Sequence, residues 1–313
     1  MPGEARPPTP ERHWRRWDHR PALKFPRGYF ARTSENLQGI LLMILSTASM
    51  ATMFVAIRKV PGDMHPFEMA FFRTFFGLCF LLTWHAGRRF SGLKTRVLWL
   101  HATRGLLNVI TMLLFFPAVL ITPLVDVTAL NFTAPLFASA LAIVLLREKV
   151  RLHRLLVIAI GVTGVLVILR PGIQTVSLGA LLIIASSLVW AVAMMIIKVL
   201  TRTESSMTIV FYMAAFMTPL SFISASFFWQ WPDLVQLSWL GLIGALGTTG
   251  QVSLTRALAV GEVTAVLPLD FLKLVWGSAL GYFFFAEIPD AWTWVGGTVI
   301  FASTIYLALR ESR

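Results

Sequence analysis

The chain has 313 residues, of which 57% are hydrophobic and 13% charged, and its mean hydropathy is +0.73. A soluble globular domain carries about twice that charged fraction, so these values exclude a soluble enzyme or binding module as the body of the protein. The formal charge of +12 does not indicate a nucleic-acid-binding protein, because the sequence contains no soluble basic module that would read a groove or stack on bases.

The chain begins with a basic, proline-rich segment, residues 1–36. This segment lacks the apolar core of a cleavable signal peptide, so we predict a disordered cytoplasmic tail. The lone cysteine, Cys79, lies in an apolar run and cannot form an intrachain disulfide or a multi-thiolate metal site. The sequence therefore predicts neither a cofactor nor a metal.

Apolar runs of about 20 residues follow one another along the rest of the chain, and each is long enough to cross the ~30 Å hydrocarbon layer as a helix. They predict an all-α polytopic membrane protein with ten transmembrane helices. The predicted spans are 38–57, 66–86, 97–118, 123–146, 152–169, 178–198, 206–228, 236–257, 263–286 and 291–309.

The distribution of positive charge predicts the orientation of these spans. Most of the 27 Lys and Arg residues fall in the tail and in alternate connecting segments, whereas only Arg58, Lys59 and Arg170 fall in the opposite set. Segments rich in Lys and Arg remain cytoplasmic, so both termini are predicted to be cytoplasmic. We expect a multi-pass protein of the bacterial inner membrane.

A break at Arg170, Pro171 and Gly172 divides the spans into two sets of five, residues 37–171 and 172–313. An odd number of spans in each half makes the two halves insert in opposite senses. The prediction is a 5+5 inverted-topology repeat, an architecture in which one half rocks against the other around a central site.

Short sequence matches support the duplication. The segment Asp-Val-Thr-Ala from Asp126 resembles Glu-Val-Thr-Ala from Glu262. Three further pairs hold the same residue type at one constant separation along the chain: Gly105 and Gly244, Ala118 and Ala257, and Glu148 and Glu287.

Five ionisable side chains within predicted spans require an explanation: Arg73, Arg104, Asp126, Asp270 and Lys273. A charge near the bilayer centre costs at least ~2.5 kcal/mol, so these groups are expected to face other helices or water. Asp270 and Lys273 are close enough in sequence to share one helix face and can form a neutralised pair. A structural role and a direct role in transport both remain open for that pair.

Polar residues at helical spacing form stripes along three spans. The stripe on the third span consists of His101, Arg104, Asn108 and Thr111. The stripe on the eighth span consists of Gly244, Thr248, Gln251 and Thr255, and a shorter one on the fourth of Thr128, Asn131 and Pro135. Such stripes are typical of cavity walls, but small residues such as Gly244 also permit close helix packing.

These residues suggest roles in substrate binding or coupling. The carboxylate-binding candidates are Arg73 and Arg104, and the hydrogen-bonding candidates are Asn108, Asn131 and Gln251. Trp190 and Trp276 are candidates for stacking on a ligand, with core packing as the alternative. Asp126 and Asp270 are candidates for carrying a coupling proton, although Asp126 also suits a place at the membrane interface.

Four segments of the sequence resemble motifs of a known protein family. They are Thr-Ala-Pro-Leu from Thr133, Leu-Arg-Glu-Lys from Leu146, Pro-Leu-Asp-Phe from Pro268, and Phe-Ala-Glu-Ile-Pro from Phe285. From about residue 38 to 310 the chain resembles EamA-type members of the drug/metabolite transporter superfamily, although Ala286 stands where that family often has glycine.

This resemblance implies a central cavity built by both repeats and a small-molecule substrate. The chain looks similar to bacterial members linked to uptake of S-adenosylmethionine or riboflavin, and other members export amino acids, so the resemblance does not identify the substrate.

The prediction is thus a secondary active transporter that moves a small organic metabolite, an amino acid or derivative or a nucleoside-like or flavin-like compound, by alternating access. The alternatives are an intramembrane enzyme and a channel. Asp126 and Asp270 would supply the two carboxylates of an aspartyl protease, but neither has the flanking glycine expected there. A channel would suit the polar stripes, but a duplication within one chain favours a carrier. The sequence leaves proton coupling and oligomeric state open.

Overall fold

The computed structural model describes residues 35–86, 95–145, 152–170, 176–201, 203–260, 266–288 and 290–311. The predicted tail therefore lies outside the described residues, except for the two that begin the first helix. The described helices are α1 (Glu35–Lys59), α2 (Pro66–Ala86), α3 (Leu98–Ile121), α4 (Leu124–Asn131), α5 (Thr133–Leu145), α6 (Leu152–Leu169), α7 (Leu178–Leu200), α8 (Ser206–Ala225), α9 (Leu234–Val260), α10 (Leu272–Phe285) and α11 (Ala291–Glu311). The all-α fold class is confirmed.

Five of the described helices contain a stretch long and apolar enough to cross a membrane. These stretches are Leu37–Lys59, Pro66–Thr83, Leu98–Ile121, Leu178–Ile197 and Ser206–Phe228. Exposed leucine, isoleucine and phenylalanine side chains are frequent on their outer surfaces, as expected where lipid is the solvent.

Two of the predicted spans are interrupted and are not the continuous helices that hydropathy predicts. Span 123–146 is interrupted at Phe132, between α4 and α5. Proline has no N–H, so Pro135 cannot donate to the carbonyl of Asn131, and the helix tightens there. The described part of span 263–286 likewise opens with a 3₁₀ helix, Leu267–Phe271, which contains Pro268 and leads into α10. Both interruptions lie beside predicted site residues.

Helices in corresponding places of the two predicted halves make corresponding contacts. The packing of α1 on α9 has its counterpart in the packing of α7 on α3. The contact of α2 with α9 likewise matches that of α8 with α3, and the contact of α1 with α10 matches that of α7 with α5.

Two close helix crossings repeat the correspondence found in the sequence. A Cβ on Gly105 would lie 2.6 Å from Cβ of Phe216, and a Cβ on Gly244 would lie 2.6 Å from Cβ of Phe76. The separation of Gly105 from Gly244 along the chain is almost the same as that of Phe76 from Phe216. Each crossing joins one half to the other and leaves no room for a side chain at the glycine. Close helix packing is therefore the role of Gly244 in the structure.

Helix α10 ends at the alanine that departs from the family pattern. Ala286 has φ +53°, in the left-handed region, and its N–H bonds to the carbonyl of Tyr282 at 3.0 Å. The next residue, Glu287, donates its N–H to the carbonyl of Gly281 at 3.1 Å. This is a C-terminal cap in which glycine carries no Cβ strain.

We expect Ala286→Gly to raise the free energy of unfolding by about 0.5–1 kcal/mol, because it relieves that strain. The midpoint of thermal unfolding in detergent measures the effect. The same change at exposed Ala302, in the interior of α11, should lower the midpoint instead. A lower midpoint for Ala286→Gly would contradict the assigned cap.

Candidate functional site

A cavity of about 120 Å³ lies where helices of both predicted halves meet. Residues from α1 to α4 line it together with residues from α7 to α10. The described lining residues are Ser46, Met50, Met53, Phe54, Arg73, Asn108, Thr111, Met112, Phe115, Phe116, Asn131, Ser186, Trp190, Met217, Gln251, Leu254 and Lys273.

Arg73 contributes a guanidinium group to the cavity wall. Its Nη1 donates to the sulfur of Met112 at 3.5 Å, and its Nε is buried without a hydrogen-bond partner. Among the described residues, Arg73 forms no ion pair with a carboxylate. A buried charge that lacks a partner is costly, so this group is suited to receive an anionic ligand.

The second cation of the wall, Lys273, has a partner. Its Nζ lies 2.5 Å from Oδ1 of Asp270, so the ion pair expected from their spacing is present. The contact is a close charge pair without hydrogen-bond geometry. Asp270 belongs to the 3₁₀ helix and Lys273 to the first turn of α10, so the interruption of that span places both beside the cavity.

The amide side chains of the wall differ in how they are satisfied. Asn108 donates to the carbonyl of Arg104 at 2.7 Å, and Asn131 accepts a long bond of 3.4 Å from Ser187. Oε1 of Gln251 is buried and has no hydrogen-bond partner. Gln251 and Arg73 also share a smaller cavity between α2, α8 and α9. Together they offer a ligand both an acceptor and a cation.

The remainder of the cavity wall is apolar and consists largely of methionine and aromatic side chains. It contains four methionines, three phenylalanines and Trp190. Thioether and aromatic side chains adapt to ligands of irregular shape and pack against ring systems. The structure thus brings Trp190 to the cavity, in addition to any role in core packing.

Corresponding positions of the two predicted halves contribute residues to the same cavity. Ser46 and Ser186 have the same separation along the chain as Met50 and Trp190, and all four line the cavity. The hydroxyl of Ser46 also donates to the carbonyl of Gly250 at 2.8 Å and ties α1 to α9.

Six of the ten predicted site residues line the cavity: Arg73, Asn108, Asn131, Trp190, Gln251 and Lys273. Asp270 contacts Lys273 beside it. The other three, Arg104, Asp126 and Trp276, are not among the described lining residues. The indole N–H of Trp276 is buried without a hydrogen-bond partner.

Arg104 is fully buried between α3 and α8. Its Nη1 donates to the carbonyl of Ile209 at 2.9 Å, whereas its Nε and Nη2 have no hydrogen-bond partner. His101, one turn earlier, is equally buried and lies 4.9 Å from Tyr212 between ring centroids. The polar stripe of the third span is therefore divided, with His101 and Arg104 at a helix contact and Asn108 and Thr111 at the cavity.

Asp126 lies at one end of the bundle, where charged groups join the two predicted halves. It accepts a hydrogen bond of 2.6 Å from Thr293, and Arg170 forms an ion pair with Asp290. In the orientation predicted from the positive charges, this end of the bundle faces outward. The position of Asp126 there suits the alternative prediction that it lies at the membrane interface.

At that end the Glu287 side chain contacts both Arg58 and Leu124, and we call this group of contacts the Glu287 clasp. Its Oε1 lies 2.5 Å from Nη1 of Arg58, and its Oε2 accepts the N–H of Leu124 at 2.9 Å. The guanidinium of Arg58 also lies 4.0 Å from the ring centroid of Phe285. The clasp thus joins the end of α1, the start of α4 and the end of α10, and it favours a carboxylate because α4 presents free N–H groups there.

The turn between α1 and α2 lies at the same end of the bundle and packs against the residues that follow α8. The imidazole of His65 stacks on Phe228 with 3.7 Å between ring centroids, and its Nδ1 accepts the N–H of Phe67 at 3.3 Å. Burial lowers the pKa of His65 below its usual value of 6.5, and nearby Glu68 acts in the opposite direction. The ring is therefore neutral at pH 7, which the acceptor role of Nδ1 requires.

Sequence reasoning missed two groups of residues. The cavity methionines are indistinguishable by sequence from ordinary core residues, because only the helix crossings bring them together. Glu68 was also missed, although it falls within the predicted second span. It is completely buried, and its Oε1 accepts the N–H of Gln230 at 2.6 Å while Oε2 has no hydrogen-bond partner. Its charge within an apolar run was the available signal.

The absence of a side chain at Gly247 leaves space for the Arg73 guanidinium. A Cβ on Gly247 would be 2.8 Å from Nε of Arg73 and 2.9 Å from the sulfur of Met53. We expect Gly247→Ala to lower transport about tenfold, because a misplacement near 1 Å is costly at a binding site. The unfolding midpoint should change little, since both contacts are flexible side-chain ends. Gly241→Ala, where nothing lies within 4 Å, is the matched control and should transport normally.

Apolar helices that cross a membrane and surround a partly charged cavity define a membrane transport protein. The chain belongs to the EamA-like transporter family, whose pattern matches it twice, over residues 37–170 and 177–309.

Several bacterial transporters are similar to the chain. The S-adenosylmethionine uptake transporter of Rickettsia prowazekii is 29% identical over 88% of this chain and 94% of its own length. The riboflavin transporter of Vibrio cholerae is 31% identical over 71% of this chain and 76% of its own. The pseudopaline exporter of Pseudomonas aeruginosa is 28% identical over 86% and 95%, respectively.

The fold is also found among solved structures. One crystal structure superposes with a TM-score of 0.60 at 18% identity and covers 89% of this chain and 99% of the other. The family match and the bacterial relatives identify the chain as a multi-pass bacterial membrane protein of the drug/metabolite transporter superfamily.

Proposed function

We propose that the protein is a secondary active transporter that carries a small organic metabolite across the cytoplasmic membrane by alternating access. Ten spans form two halves of opposite orientation, with both chain ends in the cytoplasm. The observation that carries this proposal is the cavity between the halves, which receives corresponding residues from each.

The contacts between the halves support the same arrangement. Two glycine crossings at corresponding positions form pivots at which α9 packs on α2 and α3 packs on α8. Rocking about such crossings moves the helix ends apart while the glycines remain in contact. The cavity would then open to each side in turn.

The charged contacts at the predicted outer end support an inward-facing or occluded state. The Glu287 clasp and the pair of Arg170 with Asp290 both connect residues of one half to residues of the other. For the cavity to open outward, these contacts must separate. They would therefore act as the outer gate of the cycle.

The names of the relatives support a small organic metabolite as the substrate. S-adenosylmethionine, riboflavin and amino-acid derivatives are the first compounds to test, in uptake and in export. The purified full chain should be reconstituted into liposomes preloaded with each compound. A carrier gives saturable flux that unlabelled compound on the opposite side accelerates.

Two other outcomes would overturn the proposal. Unsaturated ion current would indicate a channel, and cleavage of peptides by the detergent-solubilised protein would indicate an intramembrane enzyme. The matched family and its relatives favour the carrier.

Asp270 is proposed to carry a coupling proton or to neutralise Lys273, and one set of variants separates the two roles. We expect Asp270→Asn to reduce flux at least tenfold with normal membrane insertion, because it leaves Lys273 unpaired beside the cavity. A coupling role also predicts that the pH dependence of flux disappears. A pH dependence like that of the unaltered chain would exclude proton transfer by Asp270.

The double variant Asp270→Asn with Lys273→Gln tests the structural role. If neutralisation is the whole function of Asp270, removing both charges should restore most of the flux. If Asp270 carries the proton, the double variant should remain inactive.

A further inference from the structure

We propose that the substrate of this cavity carries a single carboxylate bound by Arg73, attached to a body that packs on Trp190 and the cavity methionines. The inference rests on the proposed transport function and specifies the chemical class of its substrate. Of the compounds named above, it favours the amino-acid derivatives, and it excludes S-adenosylmethionine, whose net charge is positive, as well as compounds with several phosphate groups.

The charge balance of the wall supports an anionic group. Arg73 and Lys273 are the ionisable groups among the described lining residues. Asp270, 2.5 Å away, neutralises Lys273, whereas no described carboxylate pairs with Arg73. Among the residues that the structure describes, the wall therefore has one uncompensated positive charge, which would repel a ligand that is itself a cation.

The surroundings of Arg73 favour a carboxylate. A guanidinium is a planar fork that matches a carboxylate through two parallel hydrogen bonds. Among the described residues, the acceptor near this fork is the weakly accepting Met112 Sδ at 3.5 Å. A phosphate dianion prefers several cationic donors, whereas the described part of the wall offers one cation without a carboxylate partner. Gly247 leaves room for the fork, because a Cβ there would lie 2.8 Å from Nε.

The rest of the ligand is defined by the apolar part of the wall. Trp190 and four methionines leave a soft apolar surface, and Oε1 of Gln251 is a buried acceptor without a donor. A ligand with an aromatic or thioether body and one N–H group would fill this space and satisfy Gln251.

The test compares an acid, an amide and a cationic ester built on the same amino-acid side chain, with phenyl phosphate as the phosphate probe. They are N-acetyl-L-tryptophan, its neutral amide, and the cationic methyl ester of L-tryptophan, together with the corresponding methionine compounds and phenyl phosphate. Binding to the purified full chain is measured by the shift of its thermal unfolding midpoint. In at least one series, we expect the acid to bind roughly tenfold or more tightly than the amide, and the ester and phosphate to bind least.

Variants connect this preference to Arg73. Arg73→Gln should reduce the acid-to-amide ratio to about one, and Arg73→Lys should keep the preference for an anion at lower affinity. Lys59→Gln removes a cation from the exposed end of α1 and should leave the ratio unchanged. The unfolding midpoint without ligand shows whether each variant is folded.

The proposal is wrong if none of the acids binds, if amide or ester binds as tightly as acid, or if folded Arg73→Gln and Arg73→Lys both keep the full preference. Tighter binding of phenyl phosphate would reassign the site to phosphorylated compounds. A preference for neutral compounds in a chain that still shows saturable flux would refute the substrate class alone. The absence of saturable flux would refute the transport function.

Discussion

Gly244→Val is expected to lower the free energy of unfolding by about 3 kcal/mol, and to abolish transport. A Cβ at this position would lie 2.6 Å from Cβ of Phe76 and 3.1 Å from the backbone nitrogen of Gly77, so a side chain must separate α9 from α2. Backbone atoms cannot move aside as the end of a flexible side chain can. The unfolding midpoint and the flux of the reconstituted protein measure the two effects.

Gly241→Val is the matched control for this change. It lies one turn earlier on the same helix, and nothing is within 4 Å of its Cβ position, so we expect near-normal stability. Gly105→Val should behave like Gly244→Val, because a Cβ there meets Phe216 at the same distance. If Gly244→Val were as stable as Gly241→Val, the close crossing of α2 and α9 would be wrong.

The second large effect is expected at the outer end. Glu287→Gln removes the charge pair with Arg58 and weakens the bond to the N–H of Leu124. Charge-assisted contacts of this kind contribute about 1.5–3 kcal/mol, so their loss should shift the population toward the outward-open state by roughly tenfold or more.

Labelling of a cavity cysteine measures that shift. Thr111→Cys is introduced together with Cys79→Ser, and an impermeant maleimide is applied to right-side-out vesicles. We expect Glu287→Gln to increase the labelling rate roughly tenfold. Lys59→Gln removes a neighbouring cation that lies 5.2 Å from the Phe285 ring centroid but forms no ion pair with Glu287, so it should change the rate much less. An unchanged rate in Glu287→Gln would exclude the clasp as a gate.

The sequence predicted those features that depend on hydropathy and spacing. The helical class follows from the apolar runs, and the contact of Asp270 with Lys273 follows from their separation by about one helical turn. The constant separation that relates Gly105 to Gly244 reappears as two equivalent crossings. Such features are local, or are repeated in the chain, so they can be recognised before folding is considered.

Features that depend on how helices cross could not be predicted. Arg73 and Arg104 look alike in sequence, since each is one cation in an apolar run. In the structure Arg73 lines the cavity, whereas Arg104 donates to the carbonyl of Ile209 within a helix contact. The grouping of Met50, Met112 and Met217 likewise depends on contacts among α1, α3 and α8.

The interruptions of two spans were also beyond a reading of hydropathy. The stretches around Phe132 and Phe271 remain mainly apolar despite Asn131, Asp270 and Lys273, so each appears as one span. Pro135 and Pro268 indicated missing N–H donors, but not how far the helix would be disturbed. The structure places Asn131 and Asp270 at these interruptions, in corresponding places of the two predicted halves.

The most direct test of the central claim concerns two equivalent turns, one in each half. Asp63 lies between α1 and α2, and Thr203 lies at the corresponding place between α7 and α8. With Cys79 replaced by serine, Asp63→Cys and Thr203→Cys are each exposed to an impermeant maleimide in intact cells. Halves of opposite orientation predict that Asp63→Cys is labelled and that Thr203→Cys is labelled only after the membrane is permeabilised. Labelling of both cysteines from the same side would contradict the inverted arrangement.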